Sequence, residues 1–202
     1  MTQHVISVDQ LHPLVGKPRV RILDVRWTLG KPNGYPDYLE SHIPGATYVS
    51  LDEQLSSRRP DEPHLGRHPL PSVEEFQRTL QCLSIDEKTT VVIYDDAAST
   101  AAARAWWLLL WAGLTDVHVL DGGLTAWKDA GYELEHGPDT NERVPSSYSV
   151  TPSLPTTDAA GAADLARTGT LIDSRAAERY RGDHEPMDPK AGHIPGAINR
   201  PT

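Results

Sequence analysis

Apolar and polar positions fall into alternating blocks along the first two thirds of the chain. Val20 to Val25 (VRILDV) is a short apolar, β-branched run, the signature of a buried strand. Gly45 to Ser50 predicts a second strand, Thr90 to Tyr94 (TVVIY) the central one, and Val117 to Leu120 a fourth. Helical segments lie between them. Ser7 is placed to cap a short helix at Val8. Ser72 caps another, with Glu75 at the capping-box position. Ala101 to Trp111 is an apolar helix, and Leu124 to Ala130 is a short one that follows a Gly122-Gly123 turn and stops at Gly131. Strands alternating with helices predict an α/β fold, a parallel sheet with helices on both faces.

The chain also repeats itself. Ile22-Leu-Asp-Val-Arg26 returns as Leu171-Ile-Asp-Ser-Arg175, and His42-Ile-Pro-Gly-Ala46 returns letter for letter at 193–197. Ser7-Val-Asp9 precedes the first copy as Thr156-Thr-Asp158 precedes the second. Three matches in register predict two copies of one unit. The first occupies 1–136, a polar, breaker-rich linker 137–147, and an incomplete second copy 148–202, which on this reading is too short to bury a full core alone.

Composition narrows the partners. A formal charge of −9 argues against a broad electrostatic hold on nucleic acid or an anionic membrane. Ala105 to Leu114, the longest apolar run, is about half of the roughly 20 residues that span a bilayer. No basic stretch followed by an apolar run marks the start as a signal peptide. One cysteine, Cys82, excludes an internal disulfide framework and agrees with a cytoplasmic setting.

Candidate chemistry belongs at the carboxyl ends of the strands. Asp95-Asp-Ala-Ala-Ser-Thr100 links the central strand to the apolar helix, and its backbone N–H groups are suited to an anion or a thiolate. The loop opens with two carboxylates, so the plainer reading is a helix start capped by Asp95 or Ser99. Arg175, Arg179 and Arg181 lie close together; Arg175 and Arg179 would share a helix face, and surface pairing with Glu178 or Asp183 is the alternative. Cys82 sits late in a helix with no cationic neighbour, which predicts a buried or half-buried structural thiol. His64 and His68 have helical spacing, but Gly66 and Pro69 oppose a helix, and no metal motif occurs.

These segments resemble the rhodanese superfamily, specifically its two-domain thiosulfate and 3-mercaptopyruvate sulfurtransferases. The likeness rests on Leu23-Asp-Val-Arg-Trp27, His42-Ile-Pro-Gly-Ala46, Gly66-Arg-His-Pro-Leu-Pro71, Val91-Val-Ile-Tyr-Asp95, Ala103-Arg-Ala-Trp-Trp107 and Leu120-Asp-Gly-Gly-Leu-x-x-Trp127. In the second copy it rests on Asp173-Ser-Arg175, Glu178-Arg-Tyr-Arg-Gly182 and Gly192-His-Ile-Pro-Gly-Ala197. The resemblance implies two similar α/β domains. The first is catalytically silent, with Asp95 where catalytic domains have cysteine. The catalytic cysteine would then follow the second domain's central strand, at about position 246 if the spacing from His42 to Asp95 is kept after His193.

It also implies a sulfurtransferase that moves sulfane sulfur from thiosulfate to cyanide or a thiol through a cysteine persulfide, without a cofactor. On this reading the 202-residue chain alone is inactive. Arg179 would bind the anionic sulfur donor and Trp27 would line a cleft. Asp24, Arg26, His42, Asp173, Arg175 and His193 would be structural. Mercaptopyruvate-using relatives often carry a further Arg about nine residues after the first. Position 188 is Asp, which tilts the donor towards thiosulfate. A non-catalytic rhodanese-like binding module is the alternative.

Overall fold

The strands of the first unit are short and apolar, and neighbouring side chains within them face opposite ways. The computed structural model describes residues 4–57 and 66–201. Five parallel strands form the first sheet: β1 (Val5–Ile6), β2 (Val20–Asp24), β3 (Thr47–Tyr48), β4 (Thr90–Tyr94) and β5 (Val117–Leu120). Their spatial order is β1-β5-β4-β2-β3. The register sets Asp24 beside Tyr94, so the carboxyl ends of β2 and β4 are level.

Alternation along the strands divides the core into two layers. Leu23, Val91, Ile93 and Val117 face the layer that holds α3 (Leu51–Gln54), α4 (Val73–Cys82) and α5 (Thr100–Trp111). Ile22, Val92, Tyr94 and Leu120 face the other, with Leu11 of α1 (Val8–Leu11) and Leu124 and Trp127 of α6 (Gly123–Asp129). One further helix, α2 (Tyr35–Glu40), lies between β2 and β3 in the chain. The parallel sheet flanked by helices is therefore as the sequence predicts.

Local signals set the helix starts. Ser7 and Gln10 close a capping box at α1, and Ser72 and Glu75 close another at α4. Gly131 takes φ +74° just past α6. Two expectations change. The strand expected at 45–50 shrinks to Thr47–Tyr48, because Gly45 turns at φ +73° and Ser50 already caps α3. Cys82 is exposed, not buried. The apolar stripe of α4 runs through Phe76 and Leu80 to Leu83, and Cys82 falls outside it.

The domain boundary also moves. The first compact unit runs to Leu154 and the second begins at Pro155, so residues 137–147 are not a free linker and 148–154 do not belong to the second copy. The N–H of Ser146 donates to the Gln81 carbonyl at 3.0 Å, the Tyr148 hydroxyl donates to the Ala112 carbonyl at 2.8 Å, and Val150 is buried. Backbone bonding rather than an apolar face holds most of this segment, which is why its polar sequence reads as a linker.

The second unit has α7 (Ala159–Thr168), β6 (Ile172–Asp173), α8 (Ala177–Arg181) and β7 (Ile198–Asn199), with β6 and β7 parallel. Asp158 caps α7 through the Gly161 N–H at 2.8 Å. Ile172, Ile194 and Ile198 are exposed. Among the described residues no helix is long and apolar enough to cross a membrane.

Candidate active site

At the carboxyl end of β2, Asp24 is fully buried and would be unstable there as a lone charge. Arg26, also buried, supplies the counter-charge through Nε at 3.0 and 3.1 Å and Nη2 at 2.7 Å. The Tyr94 hydroxyl donates to the same carboxylate at 2.7 Å, and Arg26 Nη2 reaches on to the Ser41 carbonyl. Burial alone would pull the Arg26 pKa down, but the hydrogen bonds and charge of Asp24 outweigh it and hold it above its ordinary value. Burial, reinforced by the Asp24 charge, pushes the Tyr94 phenol well up, so it remains a donor. His42 stacks on Tyr38 with ring centres 3.9 Å apart and donates from Nδ1 to the Tyr38 carbonyl at 2.8 Å. The six structural candidates thus begin with a network that ties β2, β4 and α2 together.

The loop after β4 holds the first unit's main polar feature. Asp95 is 1% exposed, yet its carboxylate accepts four backbone N–H groups. Oδ1 takes those of Ala97 at 3.0 Å and Ser99 at 2.9 Å, and Oδ2 takes those of Ala101 and Ala102 at 2.9 Å. Such a ring of N–H groups at the start of a 12-residue helix is an anion cradle, and here a side chain of the loop itself fills it. Ala98 and Ser99 take φ of +55° and +63°, which is unfavourable for residues with a Cβ. Four charge-assisted bonds offset that strain. Of the two capping candidates, Asp95 does the work, and the Ser99 side chain makes no cap bond. Gly123 must be glycine: a Cβ there would lie 2.2 Å from the Asp95 carbonyl oxygen, which accepts the Leu124 N–H.

Trp27 follows β2 and is half-buried against the core. Its ring meets His68 edge to face at 5.1 Å, and its buried Nε1 has no hydrogen-bond partner among the described residues. His68 Nε2 lies 2.9 Å from Asp52, while its carbonyl accepts Arg104 Nη2 at 3.1 Å. Arg104 also donates to the carbonyls of Leu55 and Pro69, and burial lowers its pKa. The sequence does not single out Arg104. His68 is thereby committed, and His64, which shares its helical spacing in the sequence, lies outside the described residues.

The second unit repeats the first atom for atom in several places. Arg175 grips Asp173 through Nε at 3.0 and 3.2 Å and Nη2 at 2.6 Å, and reaches the Gly192 carbonyl, as Arg26 reaches that of Ser41. His193 stacks on Tyr180 at 3.8 Å and donates to its carbonyl at 2.7 Å. The hydroxyls of Tyr38 and Tyr180 donate to the carbonyls of Ala46 and Ala197, one residue past the glycine in each copy of the repeat. These tyrosines are missed at the sequence level because they stand four residues before His42 but thirteen before His193.

Arg179 departs from both sequence expectations about its partners. Arg175 precedes α8 and so shares no helix face with it, and neither Glu178 nor Asp183 pairs with Arg179. Instead, Arg179 holds Glu185 through Nε at 3.1 and 3.2 Å and Nη2 at 2.9 Å, and Asp188 through Nη2 at 2.7 Å. Arg175 Nη1 stands 3.5 Å from Glu185, so the two arginines meet around one carboxylate. The Arg179 hydrogen bond, with backbone N–H bonds from Asp188 and Met187, draws the Glu185 carboxyl down to about 2. Arg181, by contrast, pairs with Asp183 on the surface.

A description of the rhodanese-like domain matches residues 7–130, which include both strand ends and the whole Asp95 loop. The chain belongs to the rhodanese family. Its relatives are sulfurtransferases. A Mycobacterium tuberculosis protein named as a thiosulfate sulfurtransferase (SseB) is 45% identical over 208 residues, covering 99% of this chain and 71% of its own. A Pseudomonas aeruginosa protein named as a 3-mercaptopyruvate sulfurtransferase is 42% identical over 199 residues, covering 96% of this chain and 69% of its own. The crystal structure of SseA, a 3-mercaptopyruvate sulfurtransferase from Escherichia coli, superposes with a TM-score of 0.83 at 28% identity and covers 99% of this chain and 75% of that one. The rhodanese fold of the family is thus that of this chain.

Proposed function

We propose that this protein moves the outer sulfur of thiosulfate to cyanide or a thiol, and that its first unit is the silent partner in that reaction. The filled cradle carries the reading. A loop that surrounds one atom group with four N–H donors is built for an anion such as a thiolate or persulfide. Asp95 stands at the position that cysteine holds in a catalytic domain, so the first unit keeps the cradle and lacks the nucleophile. The corresponding loop of a full second unit supplies the cysteine. Its thiolate attacks the outer sulfur of thiosulfate, the S–S bond breaks, and sulfite leaves with the bonding electrons. Cyanide carbon then attacks the persulfide's outer sulfur, and thiocyanate leaves as the thiolate re-forms.

In this reading Arg179 binds the donor, and Trp27 is a cleft-lining residue of the first unit. Glu185 is almost fully buried on Arg179, whereas the Asp188 side chain is 37% exposed. The donor dianion therefore displaces Asp188 and leaves Glu185 in place. Position 188 is Asp where mercaptopyruvate-using relatives often carry a further Arg, so this reading favours thiosulfate over mercaptopyruvate. The relatives named above include proteins named for each donor. The same reading places the protein in the cytoplasm, which suits the single exposed thiol of Cys82. Its partners are small molecules rather than nucleic acid or membrane. A second reading, a non-catalytic binding module, is favoured for the first unit alone by the self-filled cradle.

Parallel initial-rate assays with thiosulfate and 3-mercaptopyruvate on a protein that includes a full second unit test the donor assignment. Faster thiocyanate formation from thiosulfate is expected. A kcat/KM at least about tenfold higher for mercaptopyruvate would overturn it.

A further inference from the structure

The amino ends of the strands, opposite the Asp95 loop, carry a polar cavity of about 260 Å³ that the sulfur chemistry does not use. Lys17, Arg21, Asn141 and Arg143 line it, in a chain whose net charge is −9. Arg21 is fixed in place. Its Nε donates to the Leu83 carbonyl at 3.2 Å and its Nη1 to those of Pro18 and Val20 at 3.0 Å. All three acceptors are neutral. Arg143 is held on the facing segment by an ion pair between its Nη1 and Asp139, which is itself anchored by the Thr47 hydroxyl and the Asn141 N–H.

Fixed cations with donors left over are what an anion site requires. Nη2 of Arg21, Nε and Nη2 of Arg143, and Nζ of Lys17 donate no hydrogen bond among the described residues. Burial first, and then the positive charge of Arg143, pull the Arg21 pKa down; Asp86 opposes them. Two guanidinium groups are thus held near each other with their mutual repulsion only partly relieved. Glu142 also borders the cavity, but it forms no ion pair with either arginine among the described residues. Asp139 meets Arg143 through Nη1 alone among the described residues.

We propose that this cavity binds a small tetrahedral oxyanion, of the sulfate and phosphate class, between Arg21, Arg143 and Lys17. Such an anion would accept from both guanidinium groups at once and screen one from the other. The site is separate from the Asp95 cradle, and the inference does not depend on which sulfur donor the protein uses. The sulfur oxyanions and phosphate share this chemistry, so each is tested separately.

The 202-residue chain is titrated with sodium sulfate, thiosulfate and phosphate at ionic strength matched with sodium chloride. Amide NMR shifts and melting temperature are followed. Saturable shifts at Gly16, Arg21 and Asn141 with at least one oxyanion, absent with chloride, are expected. Saturation by the sulfur oxyanions alone identifies them as the occupant, and saturation by phosphate alone identifies phosphate. Arg143→Gln should weaken binding at least about tenfold, and Lys17→Gln by less. Because Arg143 lies outside the sheet, its variant should retain the parent's amide dispersion, which excludes misfolding as the cause. Equal responses to chloride and oxyanions, or an unchanged affinity in Arg143→Gln, would overturn the proposal.

Discussion

Asp95→Ala removes an acceptor from four backbone N–H groups in one step. Two of them, at Ala97 and Ser99, belong to half-exposed residues, and water can replace the carboxylate there. The other two, at Ala101 and Ala102, belong to fully buried residues of α5. An unsatisfied buried donor costs about 1–3 kcal/mol, so those two set the scale. The left-handed turns at Ala98 and Ser99 lose the bonds that hold them, and the loop relaxes, which returns part of the loss. The net destabilisation should be about 3 kcal/mol, with a fall in melting temperature of roughly 6–12 °C at ~2–4 °C per kcal/mol. Asp95→Asn should lie between variant and parent, because the amide keeps one acceptor oxygen and turns an NH2 towards N–H groups. Calorimetric melts of the three proteins, with hydrogen exchange at Ala101 and Ala102, make the comparison. A melting temperature for Asp95→Ala within ~1 °C of the parent would refute the cradle argument.

The repeated ion pair provides an internal control. Asp24→Ala should cost about 3–5 kcal/mol, since it strands a buried Arg26 and the Tyr94 hydroxyl, whereas Asp173→Ala should cost about 1 kcal/mol or less, because Arg175 is partly exposed; urea unfolding of both variants measures the difference. Glu185 gives a pH test. Its folded pKa, about 2, lies below the ordinary carboxylate range, so its stabilising contribution is complete above that range and is lost as pH falls through about 2. A carboxyl carbon shift that titrates near 2 is expected, with loosening of the Met187 and Asp188 N–H groups over the same range; titration in the ordinary range would show that Arg179 does not hold it.

The sequence makes the sheet legible because each strand is a short apolar run whose alternate residues enter different core layers. Thr90–Tyr94 and Val117–Leu120 are strands to the residue. The caps at Ser7 and Ser72 are legible for a local reason: each bonds an N–H three residues on. Contacts that cross the chain are not. Nothing near Arg179 in sequence announces that Glu185 and Asp188 will close on it, because the intervening turn brings them back. That Asp95 caps the loop after β4 is legible, but the gathering of four N–H groups on it depends on Ala98 and Ser99 in left-handed geometry, which composition does not encode. Its place late in an amphipathic helix predicts a buried or half-buried Cys82, but as the last residue of α4 it falls outside the packed stripe and is exposed.

The central claim is that the first unit holds a carboxylate where sulfur would be carried. The most direct measurement is the intact mass of the 202-residue chain after incubation with thiosulfate, together with thiocyanate release when cyanide is added. The account predicts no gain of one sulfur atom and no thiocyanate above the uncatalysed rate, with or without alkylation of Cys82. A gain of one sulfur atom with thiocyanate turnover, both abolished by Cys82→Ser, would contradict it.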